Sequence, residues 1–162
     1  MFGPMTKKKQ LLSEEAALEI LKKGSSGVLS LITEEGYPYG VPMSYAYEDG
    51  KLYFHGAKIG LRMECVKQCD KACFSVIAQD DVIPVDYTTN FRSVIAFGKI
   101  RISEDDAERR DAIIKIGKKY FPDDVVEHLN SVIDQFYAPM QIFIMDVEQL
   151  TGKQAEGLVG KP

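Results

Sequence analysis

YPYGVPMSYAYEDGKLYFHGAKIGLR, residues 37–62, reads as a β-hairpin that runs into a helix. In an extended chain successive side chains alternate faces. Tyr37, Tyr39, Val41, Met43, Tyr45 and Tyr47 therefore line one side, and Pro38, Gly40, Pro42, Ser44 and Ala46 line the other. One face is bulky and the other is small enough for a flat ring to lie close to the backbone. Pro38 and Pro42 cannot donate to a ladder, which points to a sheet edge, a bulge, or backbone atoms used by another group. An edge strand packing its tyrosines on a core would show the same pattern, so the residues that follow carry the argument. Glu48-Asp49-Gly50 makes a turn, Leu52 to His55 a second short strand, and Gly56-Ala57 leaves the backbone bare again. Lys58 and Arg62 flank Gly60 at the expected start of a helix, Leu61 to Cys69, and cations beside a helix N-terminus suit a phosphate monoester. A flat ring with a phosphate describes a nucleotide-like cofactor.

Working outward, Ser13 followed by Glu14 and Glu15 predicts a capped helix to about Lys23 that stops at Gly24. Gly27 to Thr33 is a strand, turned by Glu34-Glu35-Gly36 into the tyrosine strand. Ala72 to Ala78 and Arg92 to Ile102 are further strands, the latter alternating Val94, Ala96, Gly98 and Ile100 against Ser93, Ile95 and Phe97. Ser103 with Asp106 opens a helix to about Tyr120. Pro122 opens another, with Val125, Leu129, Val132 and Phe136 as its apolar stripe, and Met140 to Val147 closes the sheet. Strands joined by hairpins, with helices inserted and not alternating, predict a mainly β fold: an antiparallel barrel of about six strands with flanking and inserted helices. No GxGxxG or Walker sequence occurs, so phosphate must be held by side-chain cations, hydroxyls and loop amides, such as those at Lys58, Arg62 and Ser93.

A chain of 162 residues, 45% hydrophobic, is sized for one domain with a real core, here residues 12–162 behind a flexible N-terminal tail, 1–11. The net charge of -4 gives no broad basic surface, which argues against nucleic acid as the partner. Lys7-Lys8-Lys9 is the only basic run and reads as a solvated tail. No signal-peptide core or apolar stretch of spanning length is found, so a soluble cytoplasmic protein is expected, without a membrane partner. Cys65 and Cys69 share a helical face with Leu61, and Cys73 falls in the next apolar run. That spacing is neither a zinc ribbon nor an iron–sulfur signature, and no metal is expected.

The run PYGVPMSYAYEDGKLYFHGAKIGLR, then FRSVIAFGKIRI at 91–102, then DVEQLTGKQ at 146–154, resembles the flavin-binding split-barrel superfamily, the pyridoxamine 5'-phosphate oxidase-like proteins. Within it, the resemblance is to the branch related to 5-nitroimidazole resistance proteins, and it spans roughly residues 12 to 155. It implies that Val41, Pro42, Met43, Ser44 and Tyr45 lie against an isoalloxazine and offer backbone groups to its polar edge. His55, Gly56 and Ala57 would pass beside the ring and ribityl chain. Arg62 would bind the phosphate, with Lys58 assisting, and Ser93 and Val94 would reach the cofactor from the other subunit of a homodimer. Tyr37, Tyr39 and Met43 would then be interface residues. One departure is visible: pyridoxamine phosphate oxidases typically show Ser-Arg-Lys where this chain has Gly60-Leu61-Arg62, so one of two phosphate cations is missing.

Two functional expectations follow. The first is an FMN-dependent oxidoreductase, reducing nitroaromatic or similar small acceptors with NAD(P)H as donor and His55 as the candidate proton donor or electrostatic tuner. The alternative is a non-catalytic protein that binds flavin, deazaflavin or haem, where an axial haem ligand would have to come from His55, His128, a cysteine, a methionine or a tyrosine. His128 is expected on the polar side of its helix, facing solvent. A colourless interaction protein is the third outcome.

Overall fold

The computed structural model describes residues 6–161. Its centre is one antiparallel sheet of seven strands: β1 (Ser26–Ile32), β2 (Pro38–Ser44), β3 (Ala46–Glu48), β4 (Lys51–Ala57), β5 (Lys71–Ile83), β6 (Thr88–Ile102) and β7 (Met140–Gln154). The order across the sheet is β2-β1-β5-β6-β7-β4-β3. β2 and β3 are almost continuous in the chain yet lie at opposite edges. The run read as one tyrosine strand therefore leaves β1 at Ser44, passes Tyr45 without a ladder partner, and joins β4 at Ala46. The sheet curls into a barrel split along one seam, where the edges are linked by the chain itself and not by a ladder.

The alternation works as the sequence dictates. Tyr45 is fully buried, Met43 nearly so, and Tyr39, Val41 and Tyr47 pack against the same interior as Phe54, Phe74 and Phe143. Pro38, Gly40, Pro42 and Ser44 face outward and are exposed. Met43 thus points into the barrel, which removes it from the residues expected at an interface, and Tyr37 stays 71% exposed.

Helix α1 (Glu14–Lys23) begins where Ser13 accepts the Ala16 N–H at 3.2 Å and carries acids in its first turn and lysines in its last. It ends at Gly24 because of space and not because of a left-handed turn. A Cβ there would sit 2.7 Å from both the Tyr45 hydroxyl and Val76. Helix α2 (Leu61–Gln68) starts after Gly60, as expected, and buries Met63, Cys65 and Val66. Helix α3 (Asp106–Tyr120) is capped by Asp105, which accepts the Glu108 N–H at 2.8 Å. Ser103, the expected cap, is instead fully buried, with its hydroxyl donating to Glu108 at 2.5 Å. Helix α4 (Val126–Phe136) buries Leu129 and Ile133, while Val132 and Phe136 stay open. A second core forms where α3 covers the outer face of β3, β4 and β7, joining Tyr53, Ala112, Ile116, Ile142 and Ile144.

Three boundaries differ from expectation. β5 and β6 continue past Ala78 and before Arg92 as a hairpin arm, pairing from Gln79↔Arg92 to Ile83↔Thr88. Most of the arm's side chains are exposed, so no hydrophobic alternation marks it, and Asp80, Asp81, Asp86 and Tyr87 stand in solvent. β7 runs on to Gln154, since β6 pairs with it from Phe143 to Gln154 while β4 pairs only from Met140 to Asp146. Of residues 1–11, the first five lie outside the described residues. Lys8–Gln10 form a 3-10 turn, and Leu11 bridges to Lys153.

The seam is tied by the end of α3. The Tyr120 hydroxyl accepts the Tyr45 N–H at 2.9 Å and donates its one proton to the Ser25 carbonyl, with the Tyr45 carbonyl 3.1 Å away. Lys119 donates to the Gly24 carbonyl at 2.6 Å with its ammonium 3.6 Å from the Tyr45 ring centroid, and burial pushes its pKa down to about 8. Tyr120→Phe leaves the Tyr45 N–H without an acceptor. It is expected to cost about 1–3 kcal/mol, read as a lower urea midpoint at unchanged slope.

Candidate functional site

β2 is a sheet edge, so alternate residues point backbone N–H and C=O groups away from β1, and Pro38 and Pro42 are tolerated there because no ladder needs their missing donors. Across the seam, β4 brings up His55, Gly56 and Ala57, of which His55 and Ala57 are exposed. Arg62, the second residue of α2, reaches into the seam. Its Nη1 lies 2.8 Å from the Met43 sulfur, and its guanidinium carbon stands 5.0 Å from the Phe143 ring centroid. A Cβ at Gly56 would fall 1.6 Å from Arg62 Nη2, so only glycine permits this path. The guanidinium is half-buried, its Nε is buried without a partner, and no carboxylate pairs with it among the described residues. Burial pulls its pKa below the ordinary arginine value. Lys58 is exposed on the adjoining turn and is also without an ion-pair partner among the described residues.

Not every expected backbone group is available. Tyr45 is fully buried, with its hydroxyl donating to the Leu21 carbonyl at 2.6 Å and its N–H engaged by Tyr120. The usable edge is Val41 to Ser44. Ser93 and Val94 lie elsewhere: Ser93 pairs with Lys153 at the far end of β7, whereas His55 pairs with Ile142 near its start. At roughly 3.3 Å per residue that is on the order of 30 Å along the strand. Val94 is wholly buried in the barrel. One protomer does not bring Ser93 or Val94 to Arg62.

A cavity of about 570 Å³ opens beside this seam, floored by Ser44, His55 and Met140 and walled by α3 and α4 through Ile116, Tyr120, Phe121, Leu129, Val132 and Phe136. That is the size and the mostly apolar lining of a small-molecule site. The polar side chains in its lining are Ser44, His55 and Tyr120, and Asp124 with His128. His128, expected to face solvent, is exposed and also lines the cavity. The helical wall was not legible as part of a site, although the unmatched apolar side chains Val132 and Phe136 are the signal that could have marked it.

His55 is open to solvent on one side, yet loss of hydration against the protein, followed by the Arg62 charge, lowers its pKa below the ordinary 6.5. The unfolded chain therefore binds this proton more tightly than the folded one. Folding stability is expected to fall as pH is lowered from 7 through 6.5, with the full penalty present below the folded value. His55→Gln should flatten that part of a stability–pH profile measured by urea melts; an unchanged slope would show that His55 does not contribute it.

Residues 13–154 match the family model described as pyridoxamine 5'-phosphate oxidase. The chain belongs to that family. Among solved structures, this pyridoxamine 5'-phosphate oxidase family member is similar to a candidate 5-nitroimidazole antibiotic resistance protein from Bacteroides thetaiotaomicron VPI-5482, at 23% identity over 89% of this chain and 86% of that one, with a TM-score of 0.73. It is also similar to a FAD-binding protein from Mesorhizobium loti (24% identity, 91% and 98% covered, TM-score 0.61) and to a FAD and haem binding protein from Mycobacterium smegmatis (20%, 92% and 74%, 0.71). At these identities the likeness establishes the fold. No curated protein matches the sequence. No helix among the described residues is long and apolar enough to cross a membrane.

Within the family fold, the seam holds a free edge and a glycine-gated arginine, and the neighbouring His55, with Ser44, lines the apolar cavity. That arrangement can hold an anion at Arg62 and a flat group along β2.

Proposed function

We propose that this family member is an FMN-dependent oxidoreductase that reduces nitroaromatic or similar small acceptors with electrons from NAD(P)H. The observation that carries the reading is Arg62, a guanidinium with an orphaned Nε and no carboxylate partner among the described residues, pressed against Gly56 at the seam. A cation held half out of water without a counter-charge is suited to a phosphate that brings one. The residues fit the rest of a flavin nucleotide as well: the exposed face of Gly40, Pro42 and Ser44 is flat and small, and the β2 edge offers unpaired backbone groups.

A flavin bound there would supply the electron chemistry. The chain's own residues have narrower tasks. Val41, Pro42, Met43 and Ser44 present backbone to the ring's polar edge, Gly56 and Ala57 let it approach β4, and Arg62 with Lys58 holds the phosphate. His55, kept neutral near pH 7 by its lowered pKa, exchanges a proton at a ring nitrogen with an acceptor in the cavity. Ser93, with the buried Val94 behind it, would act from a partner protomer, which makes the site a property of a homodimer. Light scattering that finds a monomer with tight FMN binding would remove them from the site. Vitamin B6 oxidation is disfavoured by Gly60-Leu61, which leaves Arg62 without the second cation. The unbridged Cys65, Cys69 and Cys73 support a reducing, cytoplasmic setting.

A second reading has one observation in its favour. His55 makes no hydrogen bond among the described residues and is exposed, so its imidazole is available as an axial ligand to haem, the group named for the Mycobacterium smegmatis relative. The visible spectrum of the purified protein, repeated after adding FMN and removing the excess by gel filtration, separates the readings. Retained flavin bands at about one per protomer support the oxidoreductase, a Soret band supports haem, and a colourless protein that does not retain FMN overturns both. The same measurement with FAD or a deazaflavin ranks the ring systems.

A further inference from the structure

The chain has two histidines, and both line the same cavity. They reach it from unrelated elements: His55 from β4 and His128 from α4. Unlike His55, His128 is fixed from behind. Both carboxylate oxygens of Asp124 approach its Nδ1, at 2.8 and 2.9 Å, and Asp124 lies one helical turn earlier and is itself largely covered. A carboxylate on Nδ1 sets the tautomer that carries its proton there, which leaves the Nε2 lone pair as an acceptor. Between the histidines the wall is apolar: Ile116, Phe121, Leu129, Val132, Ile133 and Phe136.

We propose that this cavity is the acceptor-substrate site, with the Asp124–His128 pair as its polar anchor, and that it selects a flat, neutral aromatic molecule carrying an N–H or O–H donor. The inference rests on the oxidoreductase reading and narrows its substrate class. An apolar chamber of about 570 Å³ accommodates a fused bicyclic ring; its lining holds no lysine or arginine, and its one carboxylate, Asp124, is engaged by His128 Nδ1, so a charged ligand would lose hydration there with little to compensate it. The donor at one end meets His128 Nε2, and the opposite end of the ring is directed toward His55. His128 is in this account a specificity residue, distinct from His55, which exchanges the proton.

Because only two imidazoles exist, their NMR signals can be followed individually in the protein with FMN added. The probe is 5-nitroindole, compared with 1-methyl-5-nitroindole, which is blocked at the donor. Saturable shifts of both histidine signals are expected with 5-nitroindole, and binding several-fold weaker with the methylated compound, as loss of one neutral hydrogen bond implies. His128→Gln and Asp124→Asn should abolish that difference while retaining FMN to the same extent as the parent. Both sites are near the surface of α4 and the loop before it, and thermal melts verify that the variants remain folded. Equal affinity for the two probes, a His128 signal that does not move, or variants that still discriminate would each overturn the anchor. FMN retention on the same samples separates the two failures: retained FMN without a His128 response refutes the anchor alone, whereas failure to retain FMN refutes the oxidoreductase reading.

Discussion

Replacing Arg62 by Ala is expected to weaken FMN binding by roughly 10- to 150-fold while leaving the fold almost as stable as before. The binding loss corresponds to about 1.5–3 kcal/mol for a hydrogen bond to a charged group. The small stability effect has its own argument. Arg62 holds no ion pair among the described residues, its Nε is unsatisfied, and its attachments are a methionine sulfur and the face of Phe143. Removing it ends a desolvation cost as well as a contact, so the two partly cancel. FMN fluorescence titration and urea unfolding of the same variant read the two quantities. A variant that binds FMN as tightly as the parent would show that the phosphate is held elsewhere, with Lys58 the next residue to change. The Arg62→Lys variant, with one point charge in place of a planar fork, should bind FMN with an affinity between those of the parent and the alanine variant.

The second large effect is expected in the barrel interior. Phe74 is fully buried and meets Tyr45 edge-on at 4.6 Å between ring centroids and Phe54 at 5.1 Å. Phe74→Ala removes a ring that three strands share and leaves a void that Gly27, already pressed against that ring, cannot fill. A cost of about 3–5 kcal/mol is expected, a large share of the roughly 5–15 kcal/mol typical of a whole domain. Urea midpoints of parent and variant measure it. A loss below about 1 kcal/mol would mean that the core collapses into the space, which the surrounding sheet ladders oppose.

Local chemistry made much of this fold readable. The Ser13 cap, the Asp49-Gly50 turn, with both residues at positive φ (48° and 77°), and the start of α2 after Gly60 all follow from side chains within a few positions of one another. The bulky and small faces of residues 38–47 were equally readable, because the pleat alone decides them. The break at Tyr45 was not. Alternation specifies which face a residue takes and says nothing of which strand lies beside it, so a run that changes neighbours without changing faces looks continuous. The hairpin arm was missed for the opposite reason: a ladder exposed on both faces has no apolar pattern to detect. In the site, Arg62, His55 and Gly56 stood close together in sequence and could be grouped. Tyr120, Asp124 and His128 come from far later in the chain, and only packing of α3 on β4 and of α4 on α3 brings them to the cavity that His55 lines.

The open seam also bears on how this chain avoids its own kind. A sheet whose first and last strands do not zip together keeps two raw margins, and such margins recruit stray strands from neighbouring molecules into aggregates. β3 is three residues long, too short to template much growth. β2 is longer, but Pro38 and Pro42 interrupt its series of donors, so an incoming strand would find gaps in the zipper. The prolines that leave this border free for a small flat guest are thus the same ones that make it a poor mould for a polymer.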